Sequence, residues 1–397
     1  MNGEDLMRNT VAALDFGTSK IVALVAEPGS SVRCNIIGAG TTPYDGFLDG
    51  QWNAPDSLNE CIENAIHAAE NQAKMRIREI NIGIPGDFCQ VRTVEAKVEL
   101  QGADPKVTDS DIDALFERAS EALGDVRGDI IHRSPAWFIV DDGKKVQEPK
   151  GIRGYELRAM ISFVIAEPFF LEDVASRLRT LGISVTGYFS TPTGQAMMFL
   201  PSEERDRTAV IIDMGYLNTE VMTVEGDALT SLKVIPMGGG HIAADLAYGL
   251  DIPLSGAEQI KRQYVYGLAD MEGSFDITDK EGNNQSYDKK KVQEILEARA
   301  EEICDAVKDA IRTSGVKLSN WSPVYLTGGG LVLNRGGRDY LSARLEKPVR
   351  ELPRKAVKLT SPAYSSTLGL LNLIVENVAE TKSNSGVGGF FRNLFGS

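Results

Sequence analysis

Residues that could bind a phosphate and a divalent cation interrupt the first apolar run of the sequence. Apolar residues fill positions 11–14 and 21–25, and between them stand Asp15, Gly17, Thr18, Ser19 and Lys20. This pattern predicts a buried β-hairpin with a polar tip. A glycine at the tip lets its backbone N–H approach a phosphate, and Asp15 at the strand end could hold a hydrated divalent cation beside it. For this segment alone, an ordinary hairpin turn is the alternative.

The same pattern recurs in the second half of the chain. Apolar residues at 209–212 lead to Asp213 and Gly215, and an alternating apolar run follows through residue 224. Asp213 lies 198 residues after Asp15 (213 − 15). Two half-chains that each offer an Asp–Gly hairpin indicate a duplicated fold with a cleft between the halves.

Two further glycine-rich turns follow the second hairpin. One precedes a predicted helix at residues 238–240, and the other ends an apolar strand at residues 328–330. Three consecutive glycines after a strand allow the backbone to approach a flat or charged ligand closely. Without a ligand, the four turns would be the hairpins and helix caps of a duplicated structure.

Composition describes a soluble globular protein of more than one domain. The chain has 397 residues, of which 42% are hydrophobic and 25% charged. Its net charge of −14 argues against sequence-independent nucleic-acid binding, which needs a cationic face, so no nucleic-acid partner is expected. No export signal or transmembrane run is visible. The four cysteines form no C-x-x-C pair and the three histidines are scattered, so a reduced cytoplasmic protein without a zinc or His-based catalytic centre is expected.

The helix and strand patterns surround these turns and include an insert in the first half. Residues 55–75 carry apolar residues at helical spacing. Residues 87–161 interrupt the first half with strand-like runs, one of them at 137–140, and with a helix that begins at a capping-box-like pattern of Thr108 and Asp111. The insert holds no cluster of potential catalytic groups, which favours a structural or interaction role. Ser255 and Glu258 have the spacing of a capping box, and residues 288–314 predict a long helix.

In this order and at these spacings, the glycine turns resemble those of the actin, Hsp70 and sugar-kinase ATPase superfamily. The turn at Asp15 is similar to the first phosphate loop, the turn at Asp213 to the second, and residues 327–330 to the adenosine motif. Residues 235–245, the insert at 87–161 and an amphipathic C-terminal segment narrow the resemblance to the bacterial cell-division FtsA family. The resemblance covers almost the whole chain.

The resemblance implies an α/β, actin-like (ribonuclease H-like) duplicated fold. Two lobes would surround a nucleotide cleft, and the first lobe would carry an inserted α+β subdomain. The expected boundaries are 10–86 and 162–205 for the first core subdomain, 87–161 for the insert, 206–240 and 319–379 for the second core subdomain, 241–318 for a peripheral subdomain of the second lobe, 380–389 for a linker and 390–397 for an amphipathic membrane-targeting segment.

By the same resemblance, the cleft would bind ATP and Mg²⁺. Asp15 and Asp213 would lie near the metal ion through water. Glu258, Lys261 and Arg262 match the helix that contacts ribose and adenine in the family. The cofactor-binding residues expected are Asp15, Gly17, Thr18, Ser19, Lys20, Asp213, Gly215, Asn218, Gly238, Gly239, Gly240, Glu258, Lys261, Arg262, Gly328, Gly329 and Gly330.

One departure from the superfamily pattern concerns hydrolysis. Relatives usually read Asp-x-Gly-Gly-Gly-Thr in the second phosphate loop, whereas here Tyr216, Leu217 and Asn218 follow Gly215. Tyrosine and leucine adopt the positive φ angles of glycine only at an energetic cost, so the loop is expected to have another shape. Gln195, near where relatives place the residue that positions the attacking water, is the candidate catalytic residue. ATP binding with weak or no ATPase activity is therefore expected.

The C-terminal segment predicts a membrane contact. In a helix, Phe390, Phe391, Leu394 and Phe395 would lie on one face, with Arg392 as the single basic residue. An aromatic-rich face of this kind favours insertion into the membrane interface, and docking on the chain's own core or a partner is the alternative. One basic residue attracts anionic lipid only weakly, so avidity within a polymer is expected to supply the rest.

The FtsA resemblance implies a protein that polymerises on the cytoplasmic face of the cell membrane at the division septum and tethers the tubulin-like ring protein FtsZ. Its partners would be FtsZ, further copies of itself and the inner leaflet of the cytoplasmic membrane. The FtsZ-binding surface is expected on residues 241–318. The alternatives are a pilus or shape-determining actin relative and a metabolite kinase. A kinase is disfavoured because no Asp/Arg cluster for a second substrate is visible.

Overall fold

The first half of the chain folds as a mixed sheet with an inserted unit. The computed structural model describes residues 10–28, 34–268, 272–278, 284–353 and 358–382. Before the insert come β1 (Val11–Phe16), β2 (Lys20–Glu27), β3 (Asn35–Pro43), β4 (Phe47–Leu48), β5 (Gln51–Trp52), α1 (Pro55–Ala73) and β6 (Glu79–Ile84). The insert contains β7 (Cys89–Glu99), α2 (Asp109–Leu123), β8 (Asp129–Val140) and β9 (Glu156–Ala166). It is followed by α3 (Pro168–Thr180), β10 (Ser184–Ser190), α4 (Thr191–Phe199) and α5 (Ser202–Arg205).

The second half builds a matching sheet and a helical unit on one side of it. Its first elements are β11 (Ala209–Met214), β12 (Thr219–Glu225), β13 (Ala228–Ile235), α6 (Gly239–Leu250) and α7 (Leu254–Gln263). They are followed by β14 (Ser274–Thr278), β15 (Asn284–Asp288), α8 (Lys289–Thr313), β16 (Val324–Thr327), α9 (Gly337–Leu345), β17 (Val349–Glu351) and α10 (Ser365–Lys382). The long helix predicted at 288–314 is α8, with the Asp288 side chain accepting from the Lys291 N–H at its start.

The two five-stranded sheets share one topology. Their strand orders are β3-β2-β1-β6-β10 and β13-β12-β11-β16-β17. In each sheet the three hairpin-connected strands are antiparallel and the next two are parallel to the first strand. The duplication predicted from the two Asp–Gly segments is therefore confirmed by the strand connections.

Apolar runs explain why the first strand of each sheet is central. All six residues of β1 are buried, and five of the six in β11 are, because helices cover both faces of these sheets. The apolar side of α1 packs on the first sheet through Leu58, Ile62, Ala65, Ile66 and Ala69. Val292, Leu296, Ile303 and Val307 of α8 belong to the corresponding core of the second half.

The insert is a small α+β unit. Its three strands form an antiparallel sheet in the order β7-β9-β8, with α2 packed on it. Thr108 and Asp111 form the capping box at the start of α2, as the sequence pattern predicts. The strand expected at residues 137–140 begins earlier, because β8 pairs with β9 from Asp129 onward.

The capping box predicted at Ser255 and Glu258 is wrong. Helix α7 begins at Leu254 after Pro253, and no side chain caps it. Pro253 has an extended backbone and no N–H that would need a partner, so the chain enters the helix two residues earlier than the motif suggests. Ser255 is thereby placed inside the first turn, and the Glu258 carboxylate instead pairs with Lys261.

Across the ranges that the structure describes, no helix is long and apolar enough to cross a membrane. Cys34, Cys61, Cys89 and Cys304 are free thiols. The linker and the amphipathic segment expected after residue 382, including Phe390, Phe391, Arg392, Leu394 and Phe395, lie outside the described residues.

Candidate nucleotide-binding site

The two Asp–Gly turns have the same geometry and meet across a cleft. The N–H of Gly17 donates to the carbonyl of Lys20, and the N–H of Gly215 donates to the carbonyl of Asn218, both at 2.9 Å. The Thr18 hydroxyl then accepts hydrogen bonds from the N–H groups of Tyr216 and Leu217, each at 3.1 Å. The tip of the first turn is therefore seated on the backbone donors of the second.

Most of the predicted phosphate and metal residues line this cleft. Those it brings together are Asp15, Gly17, Thr18, Ser19, Lys20, Asp213, Gly215, Asn218, Gly328 and Gly329. Tyr216, Glu220, Ser365 and Ser366 also line it and were not predicted as ligand contacts. The other predicted ligand-binding residues do not line the cleft. Their contacts with the two turns are described below.

Asp15 is buried at the end of β1 and held by the start of α10. The hydroxyl of Ser366 donates to its carboxylate at 2.9 Å, and the hydroxyl of Thr367 donates to the same oxygen. Burial raises the pKa of Asp15, and these hydrogen bonds and the charge of Lys20 oppose that rise. The other carboxylate oxygen, Oδ1, is buried without a hydrogen-bond partner in the described part of the chain.

Asp213 occupies the corresponding place at the end of β11. The Gln195 amide donates to its carboxylate and, at 3.3 Å, to the Ser365 hydroxyl. Burial raises the pKa of Asp213 to about 6, with the Gln195 hydrogen bond opposing the rise and the charge of Asp15 adding to it. The Oε1 atom of Gln195 is a second buried acceptor without a partner among the described residues.

Lys20 is turned toward the start of α10 in this structure. Its ammonium donates to the Ala363 carbonyl at 2.8 Å and lies 4.2 Å from the centre of the Tyr364 ring. Burial lowers the pKa of Lys20, while Asp15 and Asp213 raise it. Lys20 is therefore the cation nearest the two acids in this lining, within reach of a phosphate group placed between the turns.

Two acidic residues that sequence reasoning missed lie at the junction of the halves. Glu220 pairs directly with Asp213 in the β11–β12 register, and its carboxylate accepts the Gly86 N–H at 2.8 Å. Burial, followed by the charge of Asp213, raises the pKa of Glu220 well above its usual range. The Asn218 amide donates to Asp87, whose pKa burial raises to about 6. Hairpin register from Asp213 would have located Glu220 in the sequence.

The glycines at 238–240 support the second turn. The N–H of Gly239 donates to the Gly215 carbonyl at 2.9 Å, and the N–H of Gly240 donates to the Tyr216 carbonyl at 2.7 Å. A Cβ on Gly238 would stand 2.7 Å from each of these two carbonyl oxygens. Only glycine lets α6 begin this close to the turn, and the amides of Gly239 and Gly240 hold the loop in place.

The turn at 328–330 contacts the end of β11. Gly328 has φ +97°, a conformation that favours glycine, and the Gly330 N–H donates to the Met214 carbonyl at 2.8 Å. Gly329 has an open side, because a Cβ there would meet only Ala363, at 3.5 Å. The turn therefore offers a backbone surface to the cleft at Gly328 and Gly329.

The predicted ribose and adenine residues lie on α7. The Lys261 ammonium is buried and donates to the Gly239 carbonyl and the Glu258 carboxylate, both at 2.7 Å. Burial lowers the pKa of Lys261, and Glu258 opposes that shift. The side chain of Arg262 is 80% exposed. Glu258 and Lys261 are thus oriented towards the second turn, whereas Arg262 is in solvent.

The donor set suits a cation that keeps its own water molecules. Among the described residues, no group of three or more His, Cys, Asp and Glu side chains is arranged to hold a metal ion directly. Asp15 and Asp213 have buried carboxylates on adjacent strand ends, and Asp15 Oδ1 has no hydrogen-bond partner within the described ranges. Water on a hydrated Mg²⁺ ion would satisfy such acceptors.

Models of one protein family match two parts of the chain. The model described as "Cell division protein FtsA" matches residues 210–369, and the model described as "SHS2 domain inserted in FTSA" matches residues 86–165. Two similar proteins are the cell division protein FtsA of Neisseria meningitidis, 26% identical over 91% of this chain and 89% of its own length, and that of Bacillus subtilis, 25% identical over 95% and 85%.

Solved structures with a similar fold are actin-like. A chain of the PilM–PilN type IV pilus biogenesis complex superposes with a TM-score of 0.61 at 16% identity, over 92% of this chain and 98% of that one. MreB 5 of Spiroplasma citri bound to AMPPNP gives 0.54 at 12%, over 95% and 99%. The MamK double helical filament gives 0.50 at 12%, over 92% and 98%. The duplicated actin-like fold with an inserted unit is confirmed.

Proposed function

The chain belongs to the FtsA family of cell division proteins, and from this premise we propose an ATP-binding protein that polymerises at the membrane and tethers FtsZ. It acts on the cytoplasmic face of the cell membrane at the division septum, through a C-terminal amphipathic segment. Its ligands in the cleft are ATP and Mg²⁺. Each of these points has its own support and its own test.

The observation that carries nucleotide binding is the meeting of the two turns over unsatisfied buried acceptors. Thr18 bridges the turns, and Asp15 Oδ1 and Gln195 Oε1 face the interior without partners in the described structure. Buried acceptors of this kind are destabilising unless a ligand or water satisfies them. The fold neighbour MreB 5 is described as bound to AMPPNP, which supports a nucleotide in the equivalent cleft.

The residues of the cleft favour binding over turnover. A Mg²⁺ ion held through water by Asp15 and Asp213 would neutralise phosphate charge. Gln195 is oriented by its hydrogen bond to Asp213, its Oε1 has no partner among the described residues, and it is the candidate residue for positioning a water molecule. Tyr216 and Leu217 replace the glycines of the usual second loop, and their side chains limit how closely that loop can approach the terminal phosphate. Slow or undetectable hydrolysis follows.

Nucleotide retention is tested with purified full-length protein and MgATP, measured together with phosphate release. We expect binding with little or no release. Asp15→Asn and Asp213→Asn should each weaken MgATP binding at least about tenfold, because each removes a charge beside the cation. Asp125→Asn, at an exposed loop position, is the matched control and should bind as the wild type does. A wild type that retains no adenine nucleotide, or one with fast turnover, would contradict this proposal.

FtsZ tethering is tested by capture on the C-terminal peptide of FtsZ. The family resemblance assigns the contact to residues 241–318, where Tyr248 on α6 is 93% exposed. Tyr248→Ala should therefore reduce capture, since exposed aromatic residues anchor many interfaces. Tyr155→Ala, at an exposed tyrosine of the insert, is the control. If the peptide captures no protein, or if Tyr248→Ala is captured as well as the wild type, a pilus or shape-determining role would be favoured instead.

Polymerisation is supported by the filament described for MamK.

A further inference from the structure

The Tyr216 side chain lies where the second turn faces α7. It lines the cleft, and its ring covers Gly240 so closely that a Cβ on that glycine would stand 2.7 Å from the ring. The ammonium of Lys261 is 5.6 Å from the centre of the ring. The Glu258 carboxylate interacts with the phenol hydroxyl. The ring thus fills the space between the phosphate turn and the helix behind it.

Glu258 and Lys261 are also the residues that the family resemblance assigns to the nucleoside. Glu258 and Lys261 would contact ribose and adenine. In this structure Glu258 interacts with the hydroxyl of Tyr216, and Lys261 lies over its ring. A phenol offers an aromatic face to the ammonium and a hydroxyl to the carboxylate, as a nucleoside offers a base and ribose hydroxyls. The two side chains of α7 that would bind the nucleoside therefore already have a partner, Tyr216.

The backbone of the same residue is also engaged by the chain. The N–H groups of Tyr216 and Leu217 both donate to the Thr18 hydroxyl oxygen, at 3.1 Å each. Two adjacent backbone donors aimed at one oxygen are the arrangement that binds a phosphate oxygen at such a turn. Thr18 is buried, so water does not easily replace its hydroxyl as the acceptor of these two hydrogen bonds.

We propose that Tyr216 is an internal occupant of the nucleotide cleft, which ATP must displace before it can bind. The inference rests on the proposed function and adds to it how affinity is set. In the closed arrangement the Tyr216 ring contacts α7 and the Thr18 hydroxyl contacts the amides of the second turn. The first contact competes with the nucleoside, and the second competes with a phosphate. The apparent affinity for the nucleotide is the intrinsic affinity multiplied by the fraction of molecules in which the ring has moved away.

The test measures MgATP binding by titration calorimetry with the full-length chain. Tyr216→Ala removes the competing ring and should tighten binding about tenfold or more. Tyr216→Phe keeps the ring but loses the hydroxyl that Glu258 contacts, so its gain should be smaller, on the order of threefold. Tyr155→Ala removes an exposed tyrosine from the insert and should leave the affinity unchanged.

Each outcome decides the inference. Weaker or unchanged binding by Tyr216→Ala would show that the ring stacks on the nucleotide or is indifferent to it, and would overturn the occupant role while leaving ATP binding in place. A wild type that binds no MgATP beside a Tyr216→Ala variant that does would support it. Failure of all forms to bind contradicts both this inference and the proposed nucleotide function. If Tyr216→Ala does not fold, as judged by its thermal unfolding, the Tyr216→Phe comparison decides.

Discussion

The buried acids of the cleft differ in the groups that hold them. Asp15 has two hydroxyl donors and the charge of Lys20 close by, whereas within the described ranges a single side-chain donor, Asn218, reaches Asp87. Burial raises the pKa of both residues, because a carboxylate loses hydration in the interior. At neutral pH the ionised form of Asp87 therefore opposes folding, since little compensates its desolvation.

Replacement of Asp87 by asparagine should stabilise the protein at neutral pH in the absence of nucleotide. The folded pKa is about 6 and the unfolded value is 3.8, so the folded state binds more protons between them. Stability contributed by the wild-type residue therefore falls as pH rises from 4 through 6. We expect Asp87→Asn to raise the free energy of unfolding by on the order of 1–2 kcal/mol at pH 8, after a discount for partial exposure.

The Asp87→Asn comparison is made by thermal unfolding from pH 4 to pH 8. The difference from the wild type should shrink toward pH 4, where the native carboxyl is protonated. Asp125→Asn, at an exposed loop position, should unfold at the wild-type temperature throughout this range. A lower unfolding temperature for Asp87→Asn at pH 8 would mean that the carboxylate itself stabilises the closed lobes.

At the scale of elements, the cleft depends on the close crossing of α4 and α10. A Cβ on Gly369 would lie 2.6 Å from the carbonyl carbon of Gly194, so the two helices touch through their backbones. The residue after Gly194 is Gln195, and α10 carries Ser366 and Thr367, which hold Asp15. The crossing therefore sets the positions of the side chains that hold both acids.

Gly369→Ala should separate these helices and destabilise the protein by about 1–3 kcal/mol, because an added methyl group in a tight contact forces backbone shifts. Thermal unfolding measures the effect, and MgATP affinity should fall with it. Gly329→Ala is the stability control, since its Cβ meets only Ala363 at 3.5 Å and should change unfolding by less than about 0.5 kcal/mol. Equal unfolding temperatures for the two variants would argue against the crossing as a constraint.

At the scale of the molecule, three hydrogen bonds near the cleft join the two halves. Thr18 binds the second turn, Glu220 accepts the Gly86 N–H, and Asn218 donates to Asp87. All three join residues more than a hundred positions apart, so they form only when the two sheets face each other. An opening of the cleft would break these hydrogen bonds, whereas the apolar packing of α10 on β1 and of β8 on β13 would still join the halves.

The proposed membrane attachment also belongs to the whole molecule, because we expect it to depend on avidity within a polymer. Deletion of residues 390–397 should abolish co-sedimentation with anionic liposomes, since the aromatic face supplies the interfacial energy. Arg392→Ala removes one charge only, so it should reduce pelleting no more than a few-fold at physiological salt. Unchanged pelleting of the deletion variant would refute the anchor.

Local pattern predicted much of this protein. The two Asp–Gly hairpins, the helix at α1, the capping box of α2 and the long helix α8 were readable because each depends on neighbours within a few residues. The start of α7 was misread because Pro253 outweighs the capping motif that follows it. The duplication itself was visible as a spacing of 198 residues.

The sequence alone determined the fold class, the two turns and the acids at their strand ends, since strand burial and turn chemistry are local properties. The tertiary structure alone decided that Thr18 binds the amides of the second turn, that Glu220 enters the cleft and that Tyr216 takes the partners on α7. Those contacts join the two halves. Their geometry follows from how the two five-stranded sheets are placed against each other. No local pattern carries that information.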